Sequence, residues 1–157
     1  KLVKRIMIVD LDVHQGDGTA SIFRNDNRVY TLSFHGKKNY PLKKEISDFD
    51  YEFDDGTKDE FYLKELKNTL PKLVKKLRPE FIFYLAGVDV LESDKLGRLS
   101  LTIEGCKERD SFVLNYCKKN IIPVQISMGG GYSPKIDDIV EAHCNTFKLA
   151  KEIFYPN

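Results

Sequence analysis

Four short apolar runs, none longer than a strand, alternate along the chain with stretches in which apolar residues recur every three to four positions. This alternation limits the fold more than any other feature. Arg5-Ile-Met-Ile-Val-Asp10 is apolar up to a terminal carboxylate, the pattern of a strand covered on both faces. Val29–Phe34, Phe81–Ala86 and Ile121–Ser127 are further strands by their β-branched and aromatic content. Leu63, Leu66, Leu70, Leu73, Val74 and Leu77 form a helical stripe with a kink at Pro71. Ile103, Cys106, Val113, Leu114 and Cys117 form a second, with Thr102 as its N-cap. Ile136, Ile139, Val140, His143 and Phe147 form a third. Such alternation implies right-handed crossovers and an α/β fold, a mostly parallel sheet covered by helices on both faces. The longest irregular stretch, His35 to about Asp55, exceeds a plain connection and is a candidate functional loop.

Composition closes off several classes. A chain of 157 residues with 41% hydrophobic content can bury one core, which excludes wholesale disorder. The formal net charge of +1 leaves no basic field for gripping nucleic acid, and the lysine pairs 37–38, 43–44 and 75–76 read as solvated faces. No apolar run approaches the ~18 residues of a membrane span, and the first residues show no signal-peptide pattern. Cys106 and Cys117 lie ~16 Å apart on one helix, Cys144 stands alone, and no Cys-x-x-Cys spacing occurs. Three free thiols and a cytoplasmic location are expected.

The polar residues gather where strands stop, and in an open parallel sheet ligands bind beyond the carboxyl ends of strands. Three clusters fall there: Asp10-Leu-Asp-Val-His-Gln-Gly-Asp17, Ala86-Gly-Val-Asp89 and Met128-Gly-Gly-Gly-Tyr132. Asp12 and His14 are two apart and project from one face of extended backbone. With Asp89 they make three donors and leave a fourth position open, as catalytic zinc sites do. The same set also admits Fe(II), Co(II) or Mn(II). Each piece alone has a plainer reading. Asp-x-His pairs serve turns and caps, Asp89 can cap the turn after its strand, and glycine runs serve flexible or phosphate-cradling loops. His143 sits on an apolar stripe and reads as core; His35, after a strand, is open either way.

Together the motifs are more specific. Asp-Leu-Asp-Val-His-Gln-Gly-Asp-Gly (10–18), Ser33-Phe-His-Gly36, Ala-Gly-Val-Asp-Val-Leu-Glu-Ser-Asp-Lys-Leu-Gly (86–97), Leu-Ser-Leu-Thr (99–102) and Gly-Gly-Gly-Tyr (129–132) stand in one order. This series resembles the zinc-dependent histone deacetylase family over essentially the whole chain. Ser-Phe-His-Gly-Lys-Lys-Asn-Tyr-Pro41 and Asp55-Gly-Thr57 look most like its class IV and bacterial branch. The resemblance implies an arginase/deacetylase fold and hydrolysis of an acetylated amine, either acetyl-lysine of a protein or an acetylpolyamine. By motif position it implies Asp12, His14 and Asp89 as zinc ligands and Tyr132 as the catalytic tyrosine. Asp10 and Asp17 match carboxylates that orient a catalytic histidine pair. Asp10 and Ser33, with carbonyls of Asp12, His14 and Phe34, match a monovalent-cation site, usually potassium. Gly130, Gly131 and Tyr40 fall where the family's substrate channel runs.

One departure is large. The adjacent histidine pair that serves the family as general base and acid has no counterpart, since the only histidines are His14, His35 and His143. In the family that pair precedes the Asp-x-Asp-x-His strand. The expectation is a partial catalytic domain over 1–157 whose pair lies upstream, poorly active or inactive alone and prone to association. Two rivals follow. A catalytically inactive remnant that binds acetylated ligands or a partner would also lack the pair. A binuclear manganese ureohydrolase shares the broader fold, but its chemistry wants Asp-x-His-x-Asp, and position 16 is Gly.

Overall fold

The computed structural model describes residues 3–156. Five strands, β1 (Ile6–Asp10), β2 (Val29–Gly36), β3 (Phe49–Phe53), β4 (Phe81–Gly87) and β5 (Val124–Gly129), are interleaved with four helices. The helices are α1 (Asp17–Phe23), α2 (Asp59–Leu77), α3 (Ile103–Lys119) and α4 (Ile136–Phe154). The sheet order is β3-β2-β1-β4-β5, and every neighbouring pair is parallel. The chain winds outward from β1 to β3, crosses back to β4 and continues to β5. The winding reverses between β1 and β4, the place where such sheets open a crevice at their carboxyl ends.

Strand alternation sorts the core. Met7, Val9, Leu32, Phe34, Ile82 and Tyr84 are buried on the face that carries α2, α3 and α4. Phe34 meets Tyr62 of α2 edge-on at 5.8 Å between ring centroids, and the Tyr84 hydroxyl donates to Asp110 of α3. Leu66 and Leu70 of α2 are fully buried there. Each contributes about 1.5–3 kcal/mol relative to exposure. The second face is covered unevenly. Ala20 of α1 sits beside Thr31 of β2, whereas Phe83 of β4 is 37% exposed and stacks obliquely on Phe81 at 4.9 Å.

Several boundaries differ from the sequence reading. The run from Ile121 is not yet strand. Ile121 takes a left-handed backbone, φ 55, and its N–H and that of Ile122 bond back to Lys118 and Cys117 at 3.2 and 3.0 Å. This is a Schellman closure of α3, so β5 starts only at Val124. The stretch 35–55 is not all irregular. His35 and Gly36 complete β2, and Phe49-Asp-Tyr-Glu-Phe53 is an edge strand whose Tyr51 and Phe53 pack on Phe34 at 4.8 and 5.3 Å. α1, directly after the first motif, was also not anticipated. α2 continues through Pro71. On α4 the buried residues are Ala142, His143 and Thr146, while Ile136, Val140 and Phe147 are exposed, because α4 rests on α3 along one narrow seam. The core reading of His143 agrees with its burial, and all three cysteines are free.

Thr102 caps α3 as its sequence position suggests. Its hydroxyl accepts from the Gly105 N–H at 2.9 Å and donates to Asp59 Oδ2 at 2.7 Å, while its own N–H donates to Asp59 Oδ1 at 2.9 Å. The first turns of α2 and α3 are thereby tied together. Thr102→Ala should lower the unfolding free energy by about 1–2 kcal/mol in urea titration. A change of only a few tenths would show that the cap is dispensable.

Candidate metal centre

β1 ends at Asp10, level with Ser33 of β2 and Leu85 of β4. Beyond that level β1 and β4 part. The Leu11 N–H still reaches the Leu85 carbonyl at 3.1 Å, and then one segment leads to Asp12 and His14 while the other leads through Gly87 to Asp89. Two bonds hold the departing segment: Gly36 N–H to the Val13 carbonyl at 2.9 Å, and Val13 N–H to Asp89 Oδ1 at 2.9 Å. The result is convergence. His14 Nδ1 lies 3.1 Å from Asp12 Oδ1 and 3.1 Å from Asp89 Oδ2, and the donor atoms of the three residues all lie within 4.8 Å of one another. Asp89 is buried, and Asp12 and His14 are half-buried, so the cluster opens to solvent on one side.

The three side chains perturb one another strongly. Hydrogen bonds to Asp12 and then Asp89 raise the His14 pKa to about 10, against the opposing effect of burial. Burial pushes the Asp89 carboxyl up, and the neighbouring Asp12 charge adds to this. Burial also works to raise Asp12, but hydrogen bonds from His14 prevail and hold it low. Burial lifts Asp10, just behind, to about 7, although the Asp12 N–H donates to its carboxylate at 3.1 Å. Four-coordinate zinc with bonds near 2.0–2.1 Å spaces its donors about 3.3 Å apart. One imidazole nitrogen between two carboxylates at 3.1 Å therefore suits a small divalent ion in both charge and spacing.

Glycines wall this cluster. A Cβ at Gly87 would stand 2.6 Å from Asp12 Oδ2. At Gly130 it would stand 2.5 Å from Asp89 Oδ2, and that residue has φ 62, where side chains are strained. The three motif clusters thus meet at one point. Tyr132 follows on an exposed loop, its N–H donating to Asp94 Oδ2 at 2.6 Å. Asp94 also accepts from the Leu96 and Gly97 N–H groups, so it ties the glycine loop to the segment after Asp89. Asp17 opens α1 and accepts from the Gly18 N–H. Among the described residues, neither the Asp17 nor the Tyr132 side chain hydrogen-bonds a member of the triad. Ser33 Oγ lies 2.9 Å from Nδ1 of the buried His35, and the Phe34 side chain belongs to the core. The exposed Tyr40 places its carbonyl 3.3 Å from the Gln15 N–H, one residue past His14.

Four polar residues here escaped the sequence reading: Gln15, Asp94, Arg109 and Asp110. Gln15 is buried and exchanges hydrogen bonds with the Glu45 backbone at 2.8 Å each way, pinning the 37–48 loop beside the triad. For Arg109 and Asp110 a signal existed, a charged pair at the buried phase of the α3 stripe.

Comparison with known proteins bears on the family and the fold. The histone deacetylase domain matches residues 1–147. An uncharacterized protein of Picosynechococcus sp. is 42% identical over 153 residues, 98% of this chain and 51% of that protein. Histone deacetylase 2 of Arabidopsis thaliana is 35% identical over 133 residues, 83% of this chain and 34% of that protein. Acetylpolyamine aminohydrolase from Burkholderia pseudomallei superposes with a TM-score of 0.77 at 20% identity, covering 96% of this chain and 46% of that one. The histone deacetylase Clr3 superposes with a TM-score of 0.80 at 21% identity, covering 97% and 27%. The parallel sheet and these superpositions define an α/β protein of the arginase/deacetylase fold. The chain belongs to the histone deacetylase family. It spans about half the length of the Picosynechococcus relative and about a third of the Arabidopsis one.

With Zn²⁺ as the probe, Gly130→Ala should weaken metal uptake by the triad about 10–100-fold in competition with a chromophoric chelator. Gly18→Ala, whose Cβ meets nothing within 4 Å, should leave it unchanged. Equal affinities for the two variants would show that the glycine wall does not shape the cluster.

Proposed function

We propose that this chain carries the metal-binding and oxyanion-stabilising part of a zinc-dependent deacetylase that hydrolyses an acetylated amine, either acetyl-lysine of a protein or an acetylpolyamine. The observation that carries the proposal is the convergence of His14 Nδ1 on the Asp12 and Asp89 carboxylates at 3.1 Å, against the glycine wall. Family membership supports the reaction class, and the donor set supports zinc.

Asp12, His14 and Asp89 would hold the ion, which when bound supplies Lewis acidity at the acetyl carbonyl and acidifies water. Tyr132 donates its phenol O–H to the oxyanion as charge develops there. Gly130 and Gly131 keep side chains out of the substrate channel, and Tyr40 lines it. Asp10 and Asp17 accept ring N–H groups from the family's histidine pair, fixing tautomer and basicity. No adjacent histidine pair stands among these 157 residues, whose histidines are His14, His35 and His143. Asp10 and Ser33, neighbours across the β1–β2 ladder, would with the carbonyls of Asp12, His14 and Phe34 be the groups to hold a monovalent cation, potassium. A cytoplasmic location accords with the three free thiols.

A second reading, a remnant that binds but does not turn over, draws on the histidine inventory: His35 and His143 are both buried, and neither joins the triad. The two readings separate experimentally. Elemental analysis of the purified chain should give about one zinc, lost in Asp89→Ala. Two manganese ions would instead favour the ureohydrolase, and no metal in a folded chain would make the site a relic. With a histidine-bearing upstream segment restored, acetyl hydrolysis should appear and fall by about 10²–10³ in kcat for Tyr132→Phe. Zinc bound without hydrolysis would support the remnant.

The proton on His14 sets a pH dependence. With its pKa raised to about 10, the ring is protonated at neutrality and must lose that proton to take up the ion. Apparent zinc affinity should therefore rise with pH, by about tenfold per unit between pH 6 and 8 in buffers that do not bind the metal. A flat profile would show that no proton is displaced from His14 when the metal binds.

A further inference from the structure

α3 carries an arginine and an aspartate side by side where its stripe meets the sheet. Arg109 is 0% exposed, and Asp110 is buried with it. A guanidinium is costly to bury unless it is paired and hydrogen-bonded. Asp110 supplies the counter-charge, its Oδ1 lying 2.8 Å from both Nε and Nη2. The carboxylate is itself held by the Tyr84 hydroxyl and by Thr146 Oγ1 of α4, the latter at 2.5 Å.

The remaining nitrogen points the other way. Nη1 donates to the Gly87 carbonyl at 2.7 Å and to the Leu11 carbonyl at 3.0 Å. Leu11 directly precedes Asp12, and Gly87 lies two residues before Asp89. These carbonyls sit on the two segments that part at the end of the β1–β4 ladder, so one nitrogen spans the roots of both. Only a planar fork can dock one edge on a carboxylate while aiming another N–H pair away from it. The second contact satisfies N–H groups that burial would otherwise leave unpaired, and it does so with one carbonyl from each segment.

We propose that Arg109 is a positioning residue for the metal centre. Its Nη1 fixes the separation of the Leu11 and Gly87 carbonyls, and thereby the separation of the Asp12–His14 pair from Asp89. This rests on the zinc reading above and extends it to a residue on the far side of the sheet.

The test uses the 157-residue chain with Zn²⁺ in chelator competition, Co²⁺ absorption as a report on coordination geometry, and urea unfolding without metal. The variants are Arg109→Lys and the double variant Arg109→Met with Asp110→Asn, which removes both buried charges together. Leu70→Ala, a core truncation in α2, is the destabilised control, and Asp89→Ala the ligand control. Both Arg109 variants should bind Zn²⁺ about 10–100-fold more weakly and shift the Co²⁺ spectrum. Leu70→Ala should lose stability yet keep wild-type affinity and spectrum. If the double variant does not fold, Arg109→Lys decides. Wild-type affinity and spectrum in a folded Arg109 variant would overturn the clamp and leave the arginine a stability element. Absence of zinc binding in the unaltered chain, or its persistence in Asp89→Ala, would overturn the zinc reading and the clamp with it.

Discussion

β1 and β4 run side by side in register and then separate, and the rest of the molecule is organised around that fork. Parallel neighbours share hydrogen bonds only while they stay level, so two chains that diverge leave backbone groups to be satisfied by something else. Here a carboxylate on one branch accepts the Val13 N–H of the other, and a guanidinium from below donates to a carbonyl on each. The Asp89 carboxylate and the roots of both branches are thus held by backbone contacts.

Two polar layers sandwich the fork. Toward solvent lie Asp12, His14 and Asp89; toward the helices lie Arg109, Asp110, Tyr84 and Thr146. The inner layer contacts three elements besides its own α3: the β1 end, β4 and α4. Burying so many polar atoms carries a desolvation cost that only dense mutual bonding offsets. Such networks specify one arrangement of their parts more than they add to stability. That fits a site whose distances matter more than its depth.

Much of this was legible in the sequence, and the unreadable parts share a cause. β1 and β4 stood out as continuous apolar runs ending in polar residues, and Asp12 and His14 as a period-two pair, because both signals come from neighbours in sequence. Thr102 was readable as a cap for the same reason. β3 was not, since an edge strand alternates aromatic with acidic residues and borrows its partners, Leu32 to Gly36, from a distant strand. Ile121 was misplaced because a branched residue in left-handed backbone runs against local preference, and closure of α3 overrode it. Arg109 fell in the apolar phase of its helix, where charge looks like an interruption. Its meaning depends on carbonyls 98 and 22 residues away.

The two margins of the sheet are chemically unlike. β3 is short and presents the exposed acids Asp50 and Glu52 along its length. β5, on the opposite margin, reads Val-Gln-Ile-Ser-Met-Gly without a single charge. Charged side chains on an edge strand discourage backbone pairing with a passing chain. The uncharged margin is also the one that leads straight to the glycine loop, so the sheet's neutral edge and the wall of the triad belong to one strand.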